Sequence, residues 1–157
     1  MRTHHGPVTS AEPVHTDGME IVDAVRMARA NAQSVLTTLK RDGLPQLSNV
    51  LHAVGEDDVI RISTTAGRAK YANLVRRPWA ALKVDGKTFW SYAVLEADVE
   101  LSELAARPDD AATDELVELY RALSGEHDDW SAYRAAVVAD RRLVVRLRPN
   151  HAYGMLG

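Results

Sequence analysis

Between Ser34 and Thr64 the chain alternates β-branched runs with turn signals, and no helical pattern intervenes. Ser34–Leu39 (SVLTTL) reads as a strand, Lys40-Arg41-Asp42-Gly43 as an Asp-Gly turn and Gln46–Val54 (QLSNVLHAV) as a second strand. Gly55–Asp58 makes another turn, and Val59–Thr64 (VIRIST) is a third strand. Strands linked this directly form an antiparallel meander.

The rest of the chain fills in around that meander. Upstream, Ile21, Val22, Val25, Ala28 and Ala32 recur at helical spacing, and Asp17 with Glu20 has the spacing of a capping box. Downstream, Thr65-Ala66-Gly67 breaks the third strand, and a short helix spans Arg68–Arg76 before Pro78. Trp79–Val84 is the next strand, Asp85-Gly86 a turn, and Phe89–Leu101 a long strand with Trp90 and Tyr92 on one face. Two helices follow. Pro108-Asp109 opens the first and Gly125 stops it; Asp128 or Asp129 caps the second, which carries Trp130, Tyr133 and Val137. Arg142–Arg148 is a last strand ending at Pro149, with His151–Gly154 as a tail. This order predicts an α+β domain over residues 17–157: a mainly antiparallel, partly closed β-barrel with peripheral helices. Residues 1–16 are polar and aperiodic and read as a flexible arm. The order is not βαβα and no GxGxxG occurs, so a Rossmann sheet does not fit.

Composition narrows the function. The net charge of −3 lacks the basic excess of a general nucleic-acid binder. There is no cysteine, hence no disulfide, thiol nucleophile or zinc–thiolate site. No apolar run reaches the ~20 residues of a membrane span. The N-terminus lacks the apolar stretch of a signal peptide, so a cytoplasmic location is the default expectation. His4, His5 and His15 lie in the arm with no cysteine and few acidic companions, and no metal site is expected. No GxSxG or HExxH motif is present.

Three segments could carry chemistry. In Ser63–Asn73 a strand ends in hydroxyl residues and a helix begins; its first free N–H groups favour an anion. Arg68 and Lys70 add charge there, Ser63 and Thr64 add hydroxyl donors, and Lys70, Asn73 and Arg77 share a helical face by spacing. The same residues also describe a capped surface helix with a solvated basic face. Second, Lys40, Pro45, Gln46, Ser48 and Asn49 put polar groups on a strand; they face either a ligand or, on an edge strand, water. Third, Trp90 and Tyr92 could stack on a flat ring, or form a core or interface pair.

These segments together resemble the pyridoxamine 5′-phosphate oxidase-like superfamily, specifically its actinobacterial branch of deazaflavin-dependent oxidoreductases. The resemblance rests on Val35–Leu39 with Asp42-Gly43-x-Pro45-Gln46-Leu47-Ser48-Asn49, and on Gly67-Arg68-Ala69-Lys70-x-x-Asn73-Leu74-x-Arg76-Arg77-Pro78. It extends through the Trp90 strand, Gly125–Arg134, Asp140–Arg142 and His151–Gly154. It implies a split β-barrel and a homodimer with cofactor sites at the interface. The cofactor implied is coenzyme F420, a deazaflavin, with FMN as the alternative. Arg68 and Lys70, helped by Ser63, Thr64 and Asn73, would hold its phosphate. Lys40, Pro45, Gln46 and Asn49 would line the ring and ribityl region, and Trp90 would come from the second chain. Lys40, Arg41, Arg76 and Arg77 would flank the oligoglutamate tail. The implied activity is hydride transfer to or from a small conjugated substrate; Tyr92, His52 and Lys40 are candidate proton donors. An FMN-dependent oxidase and a non-catalytic cofactor or heme carrier are the competing roles.

Overall fold

The computed structural model describes residues 18–157. The arm predicted at 1–16, with its histidines, and Asp17 lie outside them. Helix α1 (Ile21–Ala30) is followed by strands β1 (Gln33–Leu39), β2 (Pro45–Leu51), β3 (Ala53–Val54) and β4 (Ile60–Thr65). Helix α2 (Ala69–Arg76), β5 (Trp79–Asp85), β6 (Tyr92–Leu101), α3 (Ala111–Ser124), α4 (Trp130–Ala139) and β7 (Arg142–Met155) complete the chain.

The seven strands form one antiparallel sheet in the order β2-β1-β5-β6-β7-β4-β3. The two ends of that order, β2 and β3, are joined by a single residue, His52. A sheet whose two ends are tied so closely must curl, and the result is a split β-barrel. His52 fastens the seam: it is 1% exposed, and its Nδ1 lies 2.7 Å from the Ser34 hydroxyl. Its Nε2 lies 2.8 Å from the Ala28 carbonyl. A carbonyl only accepts, so Nε2 carries the proton and Nδ1 accepts from Ser34. Burial lowers its pKa below the usual 6.5, outweighing the Ala28 bond.

Period-two alternation fills the barrel. Leu36, Leu82, Leu95, Ile60, Ile62 and Leu147 face inward and are buried, and Ala24, Val25 and Ala28 of α1 join them. Burying a side chain of this size contributes about 1.5–3 kcal/mol. In β7, Val145 and Leu147 face this core, Leu143 is buried at the same parity, and Arg142, Val144, Arg146 and Arg148 face outward. Val144 enters a second cluster with Leu116 and Leu119 of α3 and Val137 of α4. Arg146 fastens α3 to the same sheet face through Glu115, both of whose oxygens it contacts at 2.8–3.1 Å.

Several sequence expectations are corrected. Helix α1 starts at Ile21, so Glu20 is its N-cap and not the third helical residue that the capping box made it, and the Glu20 N-cap makes no side-chain bond. The expected strand Gln46–Val54 breaks at His52, whose N–H bonds Ala32 across the seam. Pro149 does not end the last strand: the ladder steps from Glu96↔His151 to Ala97↔Pro149, so Asn150 is the extra residue on β7, and β7 runs on through His151–Gly154. Gly154 sits at φ 148°, and a Cβ there would lie 2.2 Å from the Tyr92 carbonyl oxygen. The expected strand from Phe89 begins at Tyr92 instead. Gly86 N–H bonds the Ser91 carbonyl at 2.7 Å and Ser91 N–H bonds Thr88 at 3.1 Å, which closes residues 86–91 into a loop.

Candidate functional site

The turn from Thr65 to Arg68 links β4 to α2. Arg68 N–H bonds the Thr65 carbonyl at 3.1 Å, and Ala66 N–H bonds the Arg141 carbonyl at 3.1 Å, so the turn is anchored to the start of β7. Arg68 is the N-cap of α2; no side chain caps this end, and its first turn holds no acidic residue. The leading N–H groups therefore keep their capacity for an anion.

Beside this turn lies an open groove of about 530 Å³. Asn49, Ser63, Thr64, Thr65, Arg68 and Lys70 all line it. Five of these are residues that the sequence singled out. Ser63 and Thr64 alternate along β4: Thr64 turns toward the core and is buried, while Ser63 is half-buried on the outward side. Burial, and secondarily the Arg68 charge, lower the Lys70 pKa below its usual 10.5. Both causes disfavour the ammonium, and a bound anion would counter them. Among the described residues, neither Arg68 nor Lys70 has a carboxylate partner within ion-pair distance.

The other predicted site residues lie elsewhere. Asn73 is turned inward: its amide donates to Thr38 Oγ1 at 3.1 Å and Gln46 Oε1 at 2.7 Å, and its carbonyl accepts from Arg76 at 2.8 Å. It clamps α2 onto β1 and β2 instead of facing the groove, and it occupies Gln46. Pro45 and Asn49 share the outward face of β2, about 13 Å apart by strand rise. Lys40 is in the β1–β2 turn, 3.9 Å from Asp42. Arg76 donates to the Leu39 carbonyl at 3.1 Å, which brings the end of α2 to the Lys40–Arg41 turn. Trp90 is 71% exposed in the 86–91 loop, against Phe89 at 4.8 Å between ring centroids, so its predicted pairing with Tyr92 on a strand does not occur. His52 belongs to the core and not to the groove. Gln46 and Ser48 share one face of β2 and Asn49 takes the other, and β2 is an edge strand. Leu47 and Leu51 are exposed on that edge, on the side of Asn49.

Arg142 also lines the groove and went unnoticed in the sequence, where it is one arginine among several in RLVVRLR. Among the described residues no group of three His, Asp or Glu is arranged for a metal, and no helix is long and apolar enough to cross a membrane.

The sequence profile for pyridoxamine 5′-phosphate oxidase matches residues 21–155. The chain belongs to this family. Its fold is shared by solved structures of low identity. Conserved hypothetical protein Rv2991 from Mycobacterium tuberculosis superposes with a TM-score of 0.65 at 19% identity, over 88% of each chain. A protein described as an F420 reductase has a TM-score of 0.60 at 23% identity, over 81% of this family member and 93% of its own chain. A pyridoxamine 5′-phosphate oxidase-related, FMN-binding protein from Nostoc punctiforme has a TM-score of 0.56 at 16% identity, over 84% and 79%.

Proposed function

We propose that this family member is an oxidoreductase that binds coenzyme F420 and works as a homodimer. The observation that carries the reading is the groove at the start of α2, where Arg68 and Lys70 meet uncapped helix N–H groups and face no carboxylate. Such a donor set fits a phosphate. Ser63 and Asn49 would add neutral hydrogen bonds to the ligand, while Thr64, turned toward the core, would support the groove wall. Pro45 and Lys40, farther along β2, would line the ring end. Gln46 and Asn73 would act indirectly, by fixing α2 against β1 and β2.

Preference for F420 over FMN is supported by the convergence of Lys40, Arg41 and Arg76 at the far end of α2, with Arg77 next in the chain. These cations suit a polyanionic tail. The deazaflavin, when bound, would supply the hydride chemistry toward a conjugated organic acceptor. The chain's own residues would bind, orient and exclude water. The dimer reading is supported by the exposed leucines of edge strand β2, an apolar edge that a second copy would cover. Trp90 of that second copy would close the site.

Titration of the purified chain with F420, FMN and heme tests the assignment. Micromolar F420 affinity with weaker FMN is expected; binding of FMN alone, or of heme alone, would refute it. Sedimentation should show two chains at micromolar concentration, and Leu47→Lys should shift the population toward monomer.

A further inference from the structure

Resting on the phosphate reading above, we propose that Arg142 is a third cation of the same anion site, restrained by Asp140 until a ligand phosphate competes for it.

The outward face of β7 carries Arg142, Arg146 and Arg148. Arg146 is spent on carboxylates: it bonds both oxygens of Glu115 and also Glu100. Arg148 lies 3.8 Å from Glu100. Arg142, like Arg148, has only a long ion pair to a carboxylate, but it also lines the anion groove. Its Nη1 donates to Ser63 Oγ at 3.2 Å, and its Nε stands 3.7 Å from Asp140 Oδ2, beyond hydrogen-bond distance. A guanidinium has five N–H donors in a planar fork. The one hydrogen bond and one long ion pair leave most of that fork free. Ser63, its neutral partner, is itself a groove residue.

The main chain holds Arg142 beside the anion turn. It pairs with Thr65 across the β4–β7 ladder. Its carbonyl accepts from Ala105 N–H at 2.8 Å, and the preceding Arg141 carbonyl accepts from Ala66 N–H at 3.1 Å. Arg141 adopts φ 52°, a left-handed conformation that residues with a Cβ rarely take. Such a kink persists where surrounding contacts over-determine it, and it commonly accompanies a functional position.

Asp140 offsets the Arg142 charge only through a long ion pair of 3.7 Å. Asp140 lines the adjoining cleft beside α3 and α4, as Ser63 and Arg142 also do, and no acidic residue lines the anion groove among the described residues. Arg68 and Lys70, with the loosely paired Arg142, thus offer three cationic side chains to one ligand. That balance suits an anion of more than one charge: a phosphate monoester, or a phosphate ester followed by carboxylates. A lone carboxylate would not use it.

The test compares ligands that differ in their phosphate, using the full chain: FMN against riboflavin, and F420 against its phosphate-free deazaflavin core. Arg142→Gln should weaken FMN or F420 by about tenfold, the scale of a lost charge-assisted bond, and leave the phosphate-free ligand unchanged. Arg142→Lys should recover part of the loss. Asp140→Asn should tighten the phosphate ligand, because the competing carboxylate is gone. An unchanged affinity in Arg142→Gln, with Lys70→Ala weakened, would overturn the role of Arg142 and leave the phosphate reading standing. Equal loss for both ligands of a pair would also overturn it, since Arg142 would then shape the cleft without holding the anion. Failure of the wild-type chain to bind any of the four would remove both.

Discussion

Arg146 and Arg142 sit four residues apart on one face of β7, about 13 Å by strand rise, yet their surroundings are opposite. The Arg146 side chain is 23% exposed and meets a Glu115 that is 21% exposed, with Arg61 3.8 Å from the same carboxylate and Asp57 2.9 Å from Arg61. Here each cation has an anion, and the ensemble binds α3 to the sheet. Around Arg142 the cations outnumber the anions, and Arg68 and Lys70 have none. The difference teaches how structural charge can be told from the binding charge proposed here in one small barrel: the first is balanced inside the chain, and the second is left largely unbalanced.

The contrast can be broken by mutation. Glu115→Ala removes the carboxylate at the centre of the balanced cluster and should lower stability by about 3 kcal/mol in urea unfolding, since Arg146 loses its main partner in a partly buried setting. Its cofactor affinity should not change. Lys70→Ala should do the reverse: affinity falls by about 1–3 kcal/mol in a titration, while the unfolding midpoint stays within about 0.5 kcal/mol of wild type. Loss of stability in Lys70→Ala equal to that in Glu115→Ala would erase the distinction. A gentler variant is Asp110→Ala. This N-cap carboxylate accepts from the N–H groups of Thr113, Ala106 and Arg107 at 2.8–2.9 Å, bonds that hold its pKa well below the usual carboxylate range. Its removal should cost about 1–2 kcal/mol of stability through α3 alone, again without touching affinity.

The smallest effect at neutral pH concerns His52. Its folded pKa is depressed below 6.5, so below that pH the unfolded chain binds a proton that the folded ring refuses. Stability from this group is fully present above pH 6.5 and declines as the pH falls below it. Unfolding measured between pH 7.5 and about 5 should show this slope, and His52→Gln should flatten it. An identical slope in the variant would show that other groups dominate.

Much of this was legible in the sequence. Alternation in Ser34–Leu39 and in RLVVRLR reports which side chains enter the barrel, because strand geometry turns sequence parity directly into facing. The Arg68-x-Lys70 pair beside Ser63 and Thr64 was legible for the same local reason: a strand end and a helix start lie within a few residues. Trp90 misled because aromatic residues favour strands, whereas the 86–91 loop is decided by main-chain bonds that Gly86 and Ser91 make with each other and with Thr88. Asn73 misled because helical spacing with Lys70 and Arg77 says nothing of Thr38 and Gln46, which reach it from distant strands. Arg142 could not be told from Arg146 by its neighbours in the chain. What separates them is the position of Glu115 on a helix more than twenty residues upstream.

The single-residue joint at His52 has a consequence for how this chain tolerates changes of length. An inserted residue between β2 and β3 would turn the inward side chains of one strand outward or pull it out of step with its neighbour. It would also separate the ring from Ser34 and Ala28, the two groups it bridges. The 86–91 loop, which carries exposed Phe89 and Trp90, joins β5 and β6 with no such single-residue joint. Insertions and deletions should therefore gather at that loop and avoid the seam, where the number of residues matters more than their identity.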